Sequence, residues 1–338
     1  MHGSRVQRLS QPVDLLALHA QQPQRYPFLL ESTSGPSVEI SPQGRYDLLF
    51  AFPTASLSLD ADGQLRASGF MPEGNDFLAN LDCWFDQEAL TTTDELPFQG
   101  GWFLYLGYEL AGQVEPILKL PMTPPGLPLA LAVRCPAVIV NDRVQGHSLL
   151  IAEPGHEKRL TAMADDIARL RHRDVPATPV NARLQEEPPE HFVRAVGRIR
   201  EYIRAGDVFQ VNLSRRWQID LGQDVDAADL YSRLRQVNPA PFSGLMRWQG
   251  TAILSSSPER LVRGRQAGLV ETRPIAGTHP RLENETADRL QAQTLLRHPK
   301  ERAEHVMLLD LERNDLGRIC EPGTVQVSEF MTLESYAH

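Results

Sequence analysis

YDLLFAF at Tyr46–Phe52, followed after three residues by SLSLDADGQL at Ser56–Leu65, reads as strand upon strand with no helix between them. The second run alternates around Asp62–Gly63, a dipeptide suited to a tight hairpin turn. Outward from this pair, Phe28–Leu29–Leu30 lies upstream, and Gly100–Leu110 and Leu131–Val140 downstream, as further strands. A helix follows in which Leu160, Met163, Ile167 and Leu170 share one face. Val175–Pro189 then carries four prolines and little apolar content, which marks a linker or surface crossing between an N-terminal region, 1–174, and a second region, 190–338.

The second region opens with a helix through Phe192, Val196, Ile199 and Ile203, stopped by Gly206. Val208–Trp217 alternates as a strand, Asp226 can cap a helix carrying Leu230, Leu234 and Val237, and Ala252–Ser257 reads as a buried strand ending in hydroxyls. Lys300–Leu311 is a further helix. Strands in runs beside separate helices predict an α+β fold and not a doubly wound parallel sheet.

The 338 residues are 41% apolar, enough for a sizeable core, and their net charge of -9 argues against a nucleic-acid surface. No apolar run approaches the roughly 20 residues of a membrane span, and Met1–Pro12 lacks the apolar centre of a secretory signal, so a cytoplasmic protein is expected. Cys83, Cys135 and Cys320 are odd in number and widely spaced, which predicts buried thiols and neither a disulfide framework nor a zinc site.

The chemistry-bearing residues concentrate in two clusters. Ser257–Pro258–Glu259–Arg260 sets a carboxylate just after a strand, where partial desolvation would suit Glu259 to general-acid work; a turn carboxylate paired with Arg260 or Arg263 is the plainer alternative. ETRPIAGT at Glu271–Thr278 holds a rigid Pro274 and a permissive Gly277 before Thr278, a turn able to aim backbone N–H groups at a carboxylate or simply to end a strand. In PKERAEHVMLLDLERNDLGR, Pro299–Arg318, a packing stripe of Ala303, Val306, Met307 and Leu311 leaves Glu301, Glu304 and His305 off it. The i,i+4 pairs Lys300–Glu304 and Glu301–His305 fit a solvated helix, and Glu304 could equally join a Mg2+ site.

Taken in order, DVFQVNLSRRW, NPAPFSG, SSSPERLV, ETRPIAGTHPR and KERAEHVMLLDLERNDLGR resemble the chorismate-binding enzymes: anthranilate synthase, aminodeoxychorismate synthase and their isochorismate-forming relatives. The likeness is strong from Glu190 to His338 and weaker at Leu29–Ser32 and Gly100–Leu110. It implies two facing layers of antiparallel sheet around an active site. It also implies chorismate as substrate, Mg2+ as cofactor and ammonia from a glutamine amidotransferase small component. Glu259 matches the acid that protonates the departing hydroxyl, Gly277 and Thr278 the turn holding a substrate carboxylate, and Glu304 a metal-binding glutamate. Leu30, Glu31 and Ser32, with Asn238, Pro239 and Phe242, match the family's tryptophan pocket; a packed strand start is the alternative there.

Asn212 and NPAPFSG point to the aminodeoxychorismate members. Ala276 stands where many of those carry a lysine, so ammonia would attack directly; anthranilate synthase is the runner-up. Family members continue past the Tyr336-x-His338 position with a catalytic histidine, a second metal-binding glutamate and further strands. The resemblance therefore implies an incomplete site with exposed edge strands, and leaves open a non-catalytic fragment that binds tryptophan or a partner.

Overall fold

A computed structural model describes residues 4–33, 44–90, 96–121, 126–171, 182–221, 225–265 and 268–336. The first half runs β1 (Arg5–Leu9), α1 (Leu15–Gln21), β2 (Phe28–Glu31), β3 (Tyr46–Ala51), β4 (Ala55–Leu59), β5 (Leu65–Ser68), α2 (Phe77–Glu88), β6 (Gly101–Leu106), α3 (Ala111–Val114), β7 (Ala130–Cys135), β8 (Ala137–Asp142), β9 (His147–Ala152) and α4 (Lys158–Ala168). The second continues with β10 (Arg183–Glu186), α5 (Pro189–Ala205), β11 (Trp217–Asp220), α6 (Ala227–Val237), β12 (Phe242–Trp248), β13 (Thr251–Ser257), β14 (Arg263–Gly264), β15 (Val270–Glu271), α7 (Glu285–Arg297) and α8 (Pro299–Gly317). Contacts divide the chain into two units, Met1–Arg173 with Tyr231–His338, and Asp174–Leu230.

The larger unit holds an antiparallel seven-stranded sheet, β1-β9-β8-β3-β2-β12-β13, and a four-stranded sheet, β5-β4-β7-β6. The expected hairpin forms, with Leu59 opposite Leu65 and Gly63 at φ 78°. Consecutive strands change sheet at two prolines. Pro53 separates β3 from β4, and Pro136 separates β7 from β8, so the single strand expected over Leu131–Val140 is two. Proline has no N–H to give a ladder, which ends pairing at each point and lets the chain turn into the facing layer.

Along β7 the two-residue period divides the side chains between two cores. Leu131, Val133 and Cys135 meet Phe28, Phe50, Phe103 and Met246 between the sheets, while Ala130 and Ala132 meet Leu57, Leu59, Phe77 and Trp84 under α2. Phe28 stacks on Phe103 with centroids 4.0 Å apart, and Phe50 meets the same ring edge-on at 5.4 Å. Facing antiparallel sheets are therefore as expected, but an apolar core fills the space between them. The buried Arg134 grips Glu153 at 2.5 and 2.7 Å and Glu88 at 2.9 Å. Gly100, at φ 124°, leaves room for that carboxylate; a Cβ there would strike it.

Helix starts follow side-chain caps: Asp14, Asp76 and Asn284 each accept the N–H three residues on, at 3.0 Å, for α1, α2 and α7. Of the three thiols only Cys135 is buried, its pKa pushed up to about 12 by burial, whereas Cys83 is exposed and Cys320 half-buried. β13 is half-buried throughout because, among the described residues, it closes an edge of its sheet with a partner on one side only, so the strand expected to be buried at Ala252–Ser257 is a rim strand here. Among the described residues no helix is long and apolar enough to cross a membrane.

In the smaller unit, residues 175–181 of the proline-rich stretch lie outside the described residues, and Arg183–Glu186 pairs with Trp217–Asp220 as a two-stranded sheet. α5 ends at Gly206, which takes the left-handed conformation that the sequence demanded. Val208–Trp217 is not the expected strand: among the described residues, 208–216 lie alongside no other strand, and Phe209 is 73% exposed. Arg215 ties this segment to Glu186 at 2.5 Å and lies over the rings of Phe192 and Trp217.

Candidate active site

A cavity of about 260 Å3 gathers two of the sequence clusters and a third segment. Residues 272–279 form one wall, one face of α8 another, and the extended residues 325–334 a third. The volume lies just under the roughly 300–1,000 Å3 of small-molecule clefts, which suits a single-ring ligand.

Gly277 and Thr278 line it, with Ala276 beside them. Gly277 does not adopt a positive φ; its need for glycine is spatial, because a Cβ would run into the Glu301 carboxylate. On α8 the cavity face is Glu301, His305, Leu309, Glu312 and Leu316, spaced by four, four, three and four residues as one helical stripe. The packing stripe expected from sequence is turned outward instead: Val306 is 49% and Leu311 37% exposed. Counting apolar residues misplaced the helix because its inward face is the polar one. Glu304, three positions from Glu301, flanks that stripe, half-buried, and is not among the residues lining the cavity.

Glu259 is exposed and is not among the residues lining the cavity, where partial burial was expected; it follows β13, an edge strand among the described residues. Its Oε1 accepts the Ile275 N–H at 2.8 Å, which fastens the SPER turn to the TRPIAG turn. Burial, Glu259 and Asp315 together push the Glu312 carboxyl above the usual carboxylate range, and burial alone pushes the His305 imidazole down. Thr272 Oγ1 and His279 Nδ1, on two cavity-lining residues, are buried without a protein partner. Glu301 and His305, which the sequence places off the packing stripe, thus line the cavity, and Glu312 and His279 join them without having been singled out. The four-and-three spacing on α8 was the available signal.

The third wall is held by arginines. Arg273 donates to Glu334 at 2.5 Å, Glu329 at 2.9 Å and Thr332 at 3.1 Å. Arg281 binds Asp288 and the Tyr336 carbonyl, and the Tyr336 hydroxyl donates to Glu334 at 2.5 Å. His338 lies outside the described residues.

Among the described residues no three His, Cys, Asp or Glu side chains converge as a metal cage would. Magnesium needs only one or two carboxylates, completed by waters and ligand oxygens. Glu301 and Glu312 stand about 16 Å apart along the helix, too far to share one ion, and the other two carboxylates of the lining, Glu329 and Glu334, are both bound by Arg273. Glu301, beside the Gly277 turn, meets the minimum; Glu304 is not among the lining residues.

The segments matched to a tryptophan pocket lie together in the larger unit. β2 pairs with β12, Glu31 opposite Ser243 and Leu30 opposite Gly244. Thr33 exchanges hydrogen bonds with Ala240 at 2.9 to 3.1 Å, and Glu31 binds Arg235 at 3.0 and 3.2 Å. Ser32 is buried and donates its N–H to Asp47, whose carboxyl burial pushes up to about 7. Pro239 and Phe242 are half-buried at the start of β12, and Asn238 is exposed, its carbonyl taken by the Ser256 hydroxyl at 2.5 Å.

The sequence profile described as chorismate binding enzyme matches residues 17–338. The chain belongs to this family. It is 34% identical over 331 residues to aminodeoxychorismate synthase component 1 of Bacillus subtilis, covering 94% of this chain and 68% of that one. To anthranilate synthase component 1 of Pseudomonas aeruginosa it is 36% identical over 353 residues, covering 97% and 69%. An anthranilate synthase component I-like protein of Synechocystis is 38% identical over 251 residues, 72% of this chain and 50% of that protein. The chain therefore spans between half and about two thirds of these relatives' lengths. Among solved structures, anthranilate synthase component I of Streptococcus pneumoniae superposes with a TM-score of 0.72 at 26% identity, covering 98% of this chain and 74% of that one.

Proposed function

We propose that this chorismate-binding chain carries the amination chemistry of an aminodeoxychorismate synthase component I, cytoplasmic and Mg2+-dependent, fed with ammonia by a glutamine amidotransferase small component. The observation that carries the reading is the meeting of ETRPIAGTHP and one face of α8 in a single cavity of about 260 Å3. The Gly277–Thr278 turn would hold a chorismate carboxylate, and Glu259, fastened to that turn through Ile275, would protonate the C4 hydroxyl. Ammonia adds at C2 as that hydroxyl leaves as water. A second ammonia entering at C4 as the C2 amine departs gives 4-amino-4-deoxychorismate, whereas loss of pyruvate from the C2 amine gives anthranilate. Ala276 on the cavity wall offers a methyl and no amine, which favours direct attack by ammonia. Bound Mg2+ would supply charge neutralisation at the substrate carboxylate.

Incubation of the chain with chorismate, Mg2+ and ammonium tests the reading. 4-Amino-4-deoxychorismate supports it; anthranilate with pyruvate replaces it by the anthranilate synthase reading, which the similarity to those enzymes also favours. Glu259→Gln is expected to lower turnover about 10²–10⁴-fold with chorismate binding kept; unchanged turnover removes Glu259 from the acid role. A second reading, a chain that binds tryptophan or a partner without turnover, draws on the pairing of β2 with β12, which brings Leu30, Glu31 and Ser32 beside Phe242 and its neighbours. Calorimetric Mg2+-dependent chorismate binding together with turnover would dismiss it.

A further inference from the structure

Arginines on the SPER side of the larger unit are matched with carboxylates, with one exception. Arg263 and Arg265 converge on Glu271, at 3.9 and 2.7 Å, across the β14–β15 pair. Arg273 is saturated by Glu329 and Glu334, and Arg281 by Asp288. Arg260 makes no hydrogen bond or ion pair among the described residues. It is half-buried, its Nε is shut away from water without an acceptor, and its guanidinium lies over the Phe242 ring at 5.7 Å. A partly desolvated cation with no carboxylate in direct contact is costly to keep, and the nearest counter-charge, Glu271, is already bound by Arg265. Arg263, Arg273 and Arg265 add their positive field to it, with Glu271 opposing them.

We propose that Arg260 is the centre of an anion site for a small organic dicarboxylate, its terminal nitrogens taking one carboxylate and Phe242 backing the guanidinium plane. A planar fork matches a carboxylate edge to edge, and the ring holds it in one orientation, so little is lost in ordering it. The site lies on the SPER turn, apart from the Gly277–Thr278 turn on the cavity wall. Arg263 and Arg265 steer the second carboxylate, with Glu271 their competitor.

Calorimetric titration of the full chain with malonate, an anion that fits the fork, tests this. The wild type should show saturable binding that weakens with salt, and absence of such binding overturns the proposal outright. Arg260→Met, which keeps the stem over Phe242, should bind at least about tenfold more weakly. Arg260→Lys, the safer variant for folding, should also weaken binding because the fork is lost; equal affinity in both variants overturns the proposal. Glu271→Gln should tighten malonate about two- to fivefold by removing a competing charge, an effect that a purely structural arginine would not produce. Thr278→Val should leave malonate binding unchanged, and its loss there would place the probe in the cavity and refute the site at Arg260.

Discussion

The layered sheets and the cavity region are built on opposite terms. Between the sheets Phe28, Leu131 and Val133 are 0% exposed and every residue of β7 and β8 is buried, whereas α7 and α8 bury no residue at all. The motifs that carry the family resemblance sit mostly on the second kind of structure: rim strands, turns and a helix whose inner face is charged. Packing fixes the first region, and ion pairs such as Arg273 with Glu329 and Glu334 hold the second. The candidate site thus lies where the chain is held by polar contacts, whereas the layered sheets are held by burial.

The sharpest test of the contrast is truncation. Phe28→Ala, which empties the stack on Phe103, is expected to cost about 3–5 kcal/mol in urea unfolding; a cost near 1 would show that the layered core is not the stronger region. Next, Glu153→Gln breaks the buried pair with Arg134 and should cost about 3 kcal/mol, read as a drop in urea midpoint.

Asp47 gives a smaller, pH-dependent effect. Its folded-state pKa, pushed up to about 7, lies above the ordinary carboxylate value, so the native state holds the proton longer than the unfolded chain does. The protonated form favours folding at low pH, and that contribution falls away as pH rises from about 4 through about 7. Asp47→Asn, still able to accept the Ser32 N–H, should therefore be more stable than the wild type at pH 8 by about 2 kcal/mol and nearly equal to it at pH 4. Parallel loss in both proteins would contradict the assignment. Smallest of all, Leu309→Ala on α8 should cost about 1 kcal/mol or less, since its surroundings are half open; a loss as large as that of Phe28→Ala would erase the distinction between the regions.

Much of the first region was legible because alternation and burial agree there. The hairpin at Asp62–Gly63 and the strands at Phe28 and Tyr46 all stand. What alternation could not say is which sheet a strand joins; Pro53 and Pro136 decided that, and only Pro136 sat inside an expected strand. In the second region, apolar spacing on α8 pointed to the wrong face, because the residues turned to the cavity are Glu301, His305 and Glu312. The Val208–Trp217 alternation failed for a related reason: a strand needs a partner, and no other strand is seen beside residues 208–216. Short-range pattern reports propensity, whereas the cavity depends on which polar face of α8 meets residues 272–279 and 325–334, tens of positions away.

The pairing of β2 with β12 sets a timetable for the nascent chain. Glu31 finds Ser243 more than two hundred residues later, so at about 5–20 residues per second one edge of β2 waits for roughly 10–40 s of synthesis before its partner emerges. During that interval Phe28 and Leu29, both destined for complete burial, border an open strand edge. A chaperone that shields short apolar strands on the ribosome would therefore raise the yield of this chain more than one that acts after release.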